Sequence, residues 1–384
     1  MRTPLHSLRR QVFLAIGVSP VALAFTFGCH DGTHDDVDVE FEDCADVPQY
    51  TPNDLANWNQ GTYLVCGPVD DAGSCPALED VDGHQYLSDN VGSLSDPFCG
   101  FSVTPQCGPE RSRAGECCYE MDLAIWCEGR PFTVDGDARV AEVVEGSAWG
   151  KAPGADFGHL TEEERGQFAA HWIQVGLEEH ASIASFSRFI LELMAMGAPP
   201  DLIAGATRAM QDEIGHARLA FGVAKEAGAP DPGPGALDIS GALGQASDPT
   251  AIVVRAVLEG CVNETVSAAH AAAAAVACQD PALRKVLTRI AADESRHAAL
   301  AWRFVRWAMS QRPSLAAPVQ EAFNSARSLR ASPASAPTPA LQALGVLSAA
   351  DLDAVTQDTI AKVILPAAAA LLGQAPAGRP RAEA

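Results

Sequence analysis

Asp212-Glu213-Ile214-Gly215-His216 and Asp293-Glu294-Ser295-Arg296-His297 hold the two Glu-x-x-His patterns of this 384-residue chain. On a helix, positions i and i+3 share one face, so each stretch offers a carboxylate and an imidazole side by side. One such pair is commonplace on a helix surface. Two become informative if each falls on the second helix of a helical hairpin, and the flanking sequence has that organisation.

Thr161-Glu162-Glu163-Glu164 is a capping box, with Thr at the N-cap and Glu at the third helical position. Helical periodicity follows to about Met196, with a break expected near Gly166. Gly197-Ala198-Pro199-Pro200 stops this helix and starts a second, which runs to about Ala227 and halts at Gly228. Asp248-Pro249 opens a third helix, to about Cys278, and Asp280-Pro281 a fourth, to about Ser310. Two tight hairpins are thus joined by residues 228–247, rich in Gly, Pro and Asp. A helix of ~28 residues is roughly 42 Å long. An extended chain of ~20 residues reaches roughly 66 Å, enough to run back along the whole bundle. The pattern predicts a mainly α fold built on a four-helix bundle with one long crossover.

The first helix of each hairpin is expected to add a bridging glutamate. In the first helix, Trp172, Val175, Ile183, Phe186, Ile190 and Leu193 form an apolar stripe, and Glu179 falls in its gap. Glu178 lines up instead with Ser182 and Ser185, a wetter face. In the third, Val257, Cys261, Ala268, Ala271 and Ala275 form a stripe that contains Glu264. Glu259 is rotated about 140° from Glu264 at ~100° per residue. Glu179 and Glu264 are therefore the expected inward carboxylates, with Glu178 and Glu259 at the solvent or the rim. Depth agrees. Glu179 lies 18 residues before Gly197 and Glu213 14 after Pro199, while Glu264 lies 16 before Asp280 and Glu294 14 after it. A core-facing carboxylate is costly unless paired or metal-bound. Four carboxylates and two imidazoles, without a thiolate, suit two hard-to-borderline ions better than a structural zinc. His171, His180 and His270 have no inward carboxylate at matching spacing and are expected as polar surface residues. Cys261 reads as a small core residue, and the Ala271–Ala275 run as close helix packing.

The two opening stretches resemble the D-E-x-x-H and D-E-x-R-H motifs of di-iron carboxylate proteins, the ferritin-like superfamily. The whole chain, with its Cys-rich front and Gly-Ala-Pro-Pro hairpin, resembles ferritin-like lipoproteins of myxobacteria. The likeness is specific over residues 161–310. It implies that Glu179, Glu213, His216, Glu264, Glu294 and His297 bind two iron ions, with manganese or a mixed pair as alternatives. It also implies that Asp212 and Asp293 orient the ligand histidines. Gly215 stands where many relatives carry Arg. The implied activity is redox chemistry with dioxygen or peroxide; the alternative is non-catalytic iron sequestration at the cell envelope.

The rest of the chain sets the location. Arg2, Arg9 and Arg10 precede an apolar stretch, Val12 to Phe27, that ends at Gly28-Cys29. This reads as a secretory signal (1–29) with a lipobox-like end, so Cys29 is the expected lipidation site and membrane anchor. Residues 30–43 form an acidic tether. Eight cysteines lie between Cys44 and Cys127, without a C-x-x-C pair, and predict a disulfide module over 44–135 in an oxidising compartment. A linker (136–160), the bundle (161–311), a Pro/Ala-rich linker (312–340), an accessory helix (341–373) and a tail (374–384) complete the expected organisation. Cys261 and Cys278 are expected to stay free. No segment after the signal is expected to span a bilayer. The formal charge is −23, with 25 acidic against 7 basic residues in 1–150. A surface that acidic repels phosphate backbones, which argues against a nucleic-acid partner.

Overall fold

The computed structural model of the chain describes residues 4–18, 49, 61–69, 74–81, 83–91, 99–111, 116–127, 130–134, 137–146, 148–244, 248–329 and 337–373. The fold is mainly helical, with a small strand-containing region near the N-terminus. Cys29, the tether 30–43 and the tail 374–384 lie outside the described residues.

After a first helix, α1 (Pro4–Ala15), strand β1 (Gly61–Gly67) leads to a short helix, α2 (Gly83–Asn90), and then to β2 (Cys99–Arg111) and β3 (Cys117–Cys127). The three strands form an antiparallel sheet in the order β1-β3-β2. Disulfides Cys66–Cys118 and Cys75–Cys117 fasten β3 to β1 and to the loop before α2. Val65, Leu87, Val103, Tyr119 and Met121 make a core of this region's own. So small an apolar cluster gains from covalent staples, as the cysteine count suggested.

Two pairs of short strands follow: β4 (Thr133–Val134) with β5 (Asp137–Ala138), and β6 (Val143–Glu145) with β7 (Pro232–Pro234). The second pair ties the crossover to the segment expected as a linker. That segment is packed: Phe157 and Leu160 are buried, and the Lys151 N–H donates to the Arg218 carbonyl at 2.8 Å. Gly222 is required there, because a Cβ would sit 2.1 Å from the Lys151 carbonyl oxygen. The boundary at 135 is also corrected. Arg130, Phe132 and Val134 are buried, with Phe132 and Val134 packed on Ala181 of the helical body.

Helices α3 (Glu162–Ala195) and α4 (Pro200–Glu226) form the first hairpin. The capping box at Thr161 is made as expected. Helix α3 is continuous through Gly166, where no break occurs. The third long helix is composite: α5 (Pro249–Arg255), a π-helical segment (Ala256–Asn263) and α6 (Glu264–Ala277). Helix α7 (Pro281–Gln311) closes the second hairpin, started by Asp280 accepting from the amides of Ala282 and Leu283. Gly260 lets the π segment approach α7, since a Cβ there would meet the Ala301 Cβ at 2.5 Å.

The part of the chain after α7 differs from expectation. Helix α8 (Ala316–Ser325) lies inside the expected Pro/Ala-rich linker and packs through Val319 and Phe323, the latter stacked on Trp302 at 5.0 Å. The accessory helix is three pieces: α9 (Pro339–Ala343), then α10 (Ala349–Thr359), continued through a π segment (Ile360–Ile364) into α11 (Leu365–Gly373). By length and composition Ala349–Gly373 could cross a membrane, contrary to expectation, yet 44% of its most apolar window is buried inside the fold. Helix α1, expected to leave with the signal, packs Leu8, Val12, Phe13 and Ile16 into the main core.

Candidate metal centre

The six expected ligand residues meet between the four long helices. Glu179 comes from α3, Glu213 and His216 from α4, Glu264 from the first turn of α6, and Glu294 and His297 from α7. They form two interlocking groups: Glu179, Glu213, His216 and Glu294, and Glu213, Glu264, Glu294 and His297. In each group one ligand atom per residue lies within 4.8 Å of all the others. The shared carboxylates are Glu213 and Glu294, from the two Glu-x-x-His stretches. Glu179 and Glu264, the glutamates expected to bridge, each belong to one group only. Glu213 and Glu294 each sit one turn before a histidine of their own helix, and both belong to both groups.

Both imidazoles point Nδ1 inward. His216 Nδ1 lies 3.3 Å from Glu179, 3.5 Å from Glu213 and 3.3 Å from Glu294. His297 Nδ1 lies 2.9 Å from Glu213 and 3.7 Å from both Glu264 and Glu294. The outer nitrogens are held by aspartates from the opposite stretch: His216 Nε2 lies 3.0 Å from Asp293, and His297 Nε2 lies 3.3 Å from Asp212. Arg296 spans both aspartates, at 3.1 Å to Asp212 and 2.6 Å to Asp293. Arg289 adds a contact to Asp293 at 3.5 Å. It uses the space that Gly215 leaves open, because a Cβ at 215 would sit 3.2 Å from the Arg289 guanidinium.

The electrostatics follow from burial against close charge. Desolvation raises the Glu179 and Glu264 carboxyls well above the ordinary value, and for Glu264 neighbouring Glu294 adds to it. Burial also pushes Glu213 upward, but the two imidazoles outweigh it and hold that carboxyl low. Burial opposes charge on His216 and His297, yet the surrounding carboxylates win and raise both well above the usual imidazole range. Asp293 is pushed up by burial and brought down to about 2 by His216 and Arg296.

Protein groups do not satisfy the centre. Both Glu264 oxygens and Glu294 Oε2 are buried without a hydrogen-bond partner. Native interiors rarely leave such atoms unpaired, and an ion is a common reason when they do. Four carboxyl groups and two imidazoles share a low-dielectric core. Two divalent cations would balance the four groups as carboxylates. The donor set therefore fits metal ions.

Other expectations are corrected. Glu259 is not at the rim: it is buried, 2.8 Å from Arg188 and 3.7 Å from Arg130, and accepts from Thr133 and Ser185. The cause is the π segment. Glu259 lies within it, and its wider turn rotates the side chain away from where uniform α-helical steps would put it. The supposedly wet Ser182 and Ser185 are buried beneath residues 130–134, and Ser182 donates to the Arg130 carbonyl. Glu192 joins this network at 3.0 Å from Arg255. His270 is buried rather than exposed, with Nε2 2.9 Å from Thr356 Oγ1 and 3.1 Å from the Leu352 carbonyl on α10. His171 and His180 are half-buried and outside the two groups. Glu178 stays half-buried and accepts from Gln174. Cys261 and Cys278 are free and buried, as expected.

Comparisons with protein-family models, curated proteins and solved structures find no match, so what the site can do is argued from its own residues.

Proposed function

We propose that the chain is a ferritin-like protein whose four long helices enclose a dinuclear metal centre, and that the metal is iron. The carrying observation is the pair of interlocking ligand groups with shared Glu213 and Glu294 and with buried oxygens left unpartnered. Glu179 and His216 would complete one ion's ligands, Glu264 and His297 the other's. A bound iron pair supplies electron transfer to dioxygen or peroxide, and carboxylate-rich ligation favours the harder oxidised ion. The chain's own residues prepare the ligands. Asp293 and Asp212 accept from the Nε2–H groups of His216 and His297, which fixes the tautomer and turns each Nδ1 lone pair inward. Arg296 holds both aspartates in place. The surrounding apolar core, with the Phe186 ring 5.2 Å from that of His297, keeps the site dry.

The test is anaerobic Fe(II) titration of the full chain, then admission of oxygen. The proposal expects about two ions per chain, as an interlocked two-ion site requires, and iron oxidation faster than in buffer. Replacing Glu213 and His216 with Ala removes a shared carboxylate and should empty the centre. Retention of both ions by that double variant refutes it. Two ions bound without accelerated oxidation would leave a passive iron-binding protein.

An exported setting is part of the proposal, supported by the basic-then-apolar N-terminus and the two disulfides. A chain that kept α1 would have its packing in the main core. N-terminal sequencing of purified protein separates that form from one beginning at a lipidated Cys29.

A further inference from the structure

Among the six ligand candidates, Glu179 alone has an exposed side chain, at 14%; the others are at 2% or less. The space it faces is a cavity of about 540 Å³. The cavity is partly open to solvent, with exposed Gln167 and Ala170 on its lining, and its volume is within the roughly 300–1,000 Å³ typical of small-molecule sites. Its position follows from the helix repeats. Val175 and Trp172 lie one and two turns before Glu179 on α3, Ile290 and Leu287 one and two turns before Glu294 on α7, and Ala271 two turns after Glu264 on α6. All five line the cavity, which therefore runs from the centre between α3, α6 and α7, with no lining residue from α4. The alanines of α6 read as close packing from sequence instead leave this room.

The far end is closed by the C-terminal part of the chain, where Leu341, Leu344, Val346 and Leu347 face the cavity. That segment is fastened at both ends. Thr338 donates to Glu164 of the α3 cap at 2.8 Å, and α10 holds His270. Gly345 has φ +91° and lies where a Cβ would be 3.0 Å from the Ala274 carbonyl oxygen. The carboxylates lining the space are Glu178 and Glu179, neither Lys nor Arg lines it, and two histidines do, His171 and His270, the latter held by Thr356 and the Leu352 carbonyl. Glutamine and serine groups (Gln167, Gln174, Ser267) supply neutral hydrogen-bonding.

We propose that this cavity binds a neutral, largely apolar small molecule with one end against Glu179, and excludes anionic amphiphiles of the same size. That the occupant is a substrate rests on the metal-centre reading; that it binds does not. Apolar walls take the body of such a molecule, and a few polar groups fix its orientation. A carboxylate head at the Glu179 end would meet Glu178 with neither Lys nor Arg to pair it, and the four ligand carboxylates already balance two divalent ions.

The experiment titrates the full chain, metal-free and Co(II)-loaded, with the neutral fluorophore N-phenyl-1-naphthylamine, then displaces it with 1-decanol or decanoate. One saturable site per chain is expected, with decanol at least ten-fold more effective than decanoate. Ala271→Phe and Val175→Phe fill the cavity and should each weaken binding at least ten-fold while two ions still bind, which shows that the variants fold. Decanol should also shift the Co(II) visible band. Non-saturable binding, or binding unchanged in both variants, overturns the proposal. Equal displacement by decanoate overturns its charge selectivity, and an unmoved Co(II) band overturns contact with the centre. Failure of the chain to bind metal while the fluorophore still binds would sink the metal-centre reading and leave the pocket standing.

Discussion

Glu264→Leu is expected to make the metal-free protein more stable and the metal-loaded protein relatively weaker. Glu264 is fully buried, both its oxygens lack a partner, and desolvation has already raised its carboxyl. An unsatisfied buried polar group costs about 1–3 kcal/mol, and leucine of similar length fits the same first turn of α6 without that cost. The metal-free variant should gain about 1–3 kcal/mol, which raises Tm by about 2–10 °C for a helical body of this size. Metal reverses the order. An ion at one hundred times its dissociation constant stabilises the wild type by about 2.7 kcal/mol per site. The variant loses a ligand from one of the two groups and should gain clearly less. Thermal unfolding of both proteins, with chelator and then with excess Co(II), reads all four states. If the chelated variant is less stable than the wild type, Glu264 is a structural residue. If metal stabilises both proteins equally, Glu264 is not a ligand. Either result refutes the reasoning.

Asp293→Asn should weaken metal binding by about 10–100-fold, the usual cost of losing a ligand histidine's outer partner; competition against a chelator of known affinity measures it, and unchanged affinity would show that His216 is oriented without Asp293. Glu164→Gln tests the link between the α3 cap and the C-terminal segment. The Thr161 amide and the Thr338 and Thr161 hydroxyls hold the Glu164 carboxyl below 4.5, so its ionised form favours the folded state. That contribution is present above about pH 4.5 and is lost as pH falls through the lower folded value. The variant should therefore be less stable at neutral pH and lose less stability on acidification, as denaturant unfolding at several pH values would show.

Much of this protein was legible in its residue order, because the signals were local. The capping box at Thr161, the Gly-Ala-Pro-Pro turn and the Asp-Pro starts act within one helical turn, and they placed the four long helices to within a residue or two. Similar distances from those turns, 14 to 18 residues, brought Glu179, Glu213, Glu264 and Glu294 to about one level, so the six residues of the centre were readable before any packing was known. The buried place of Cys261 followed from its position in an apolar stripe. The tertiary structure decided what depends on segments far apart in sequence. The sharing of Glu213 and Glu294, and the crossed pairing of Asp212 with His297 and Asp293 with His216, arise only when α4 faces α7. Burial of Glu259 needs the π segment and residues 130–134, since uniform 100° steps turn it outward. The cavity beside Glu179 exists because a segment some 160 residues away closes the end that alanines leave open. Side-chain periodicity tells which face of a helix is apolar, but only packing decides what covers that face and where it is left uncovered.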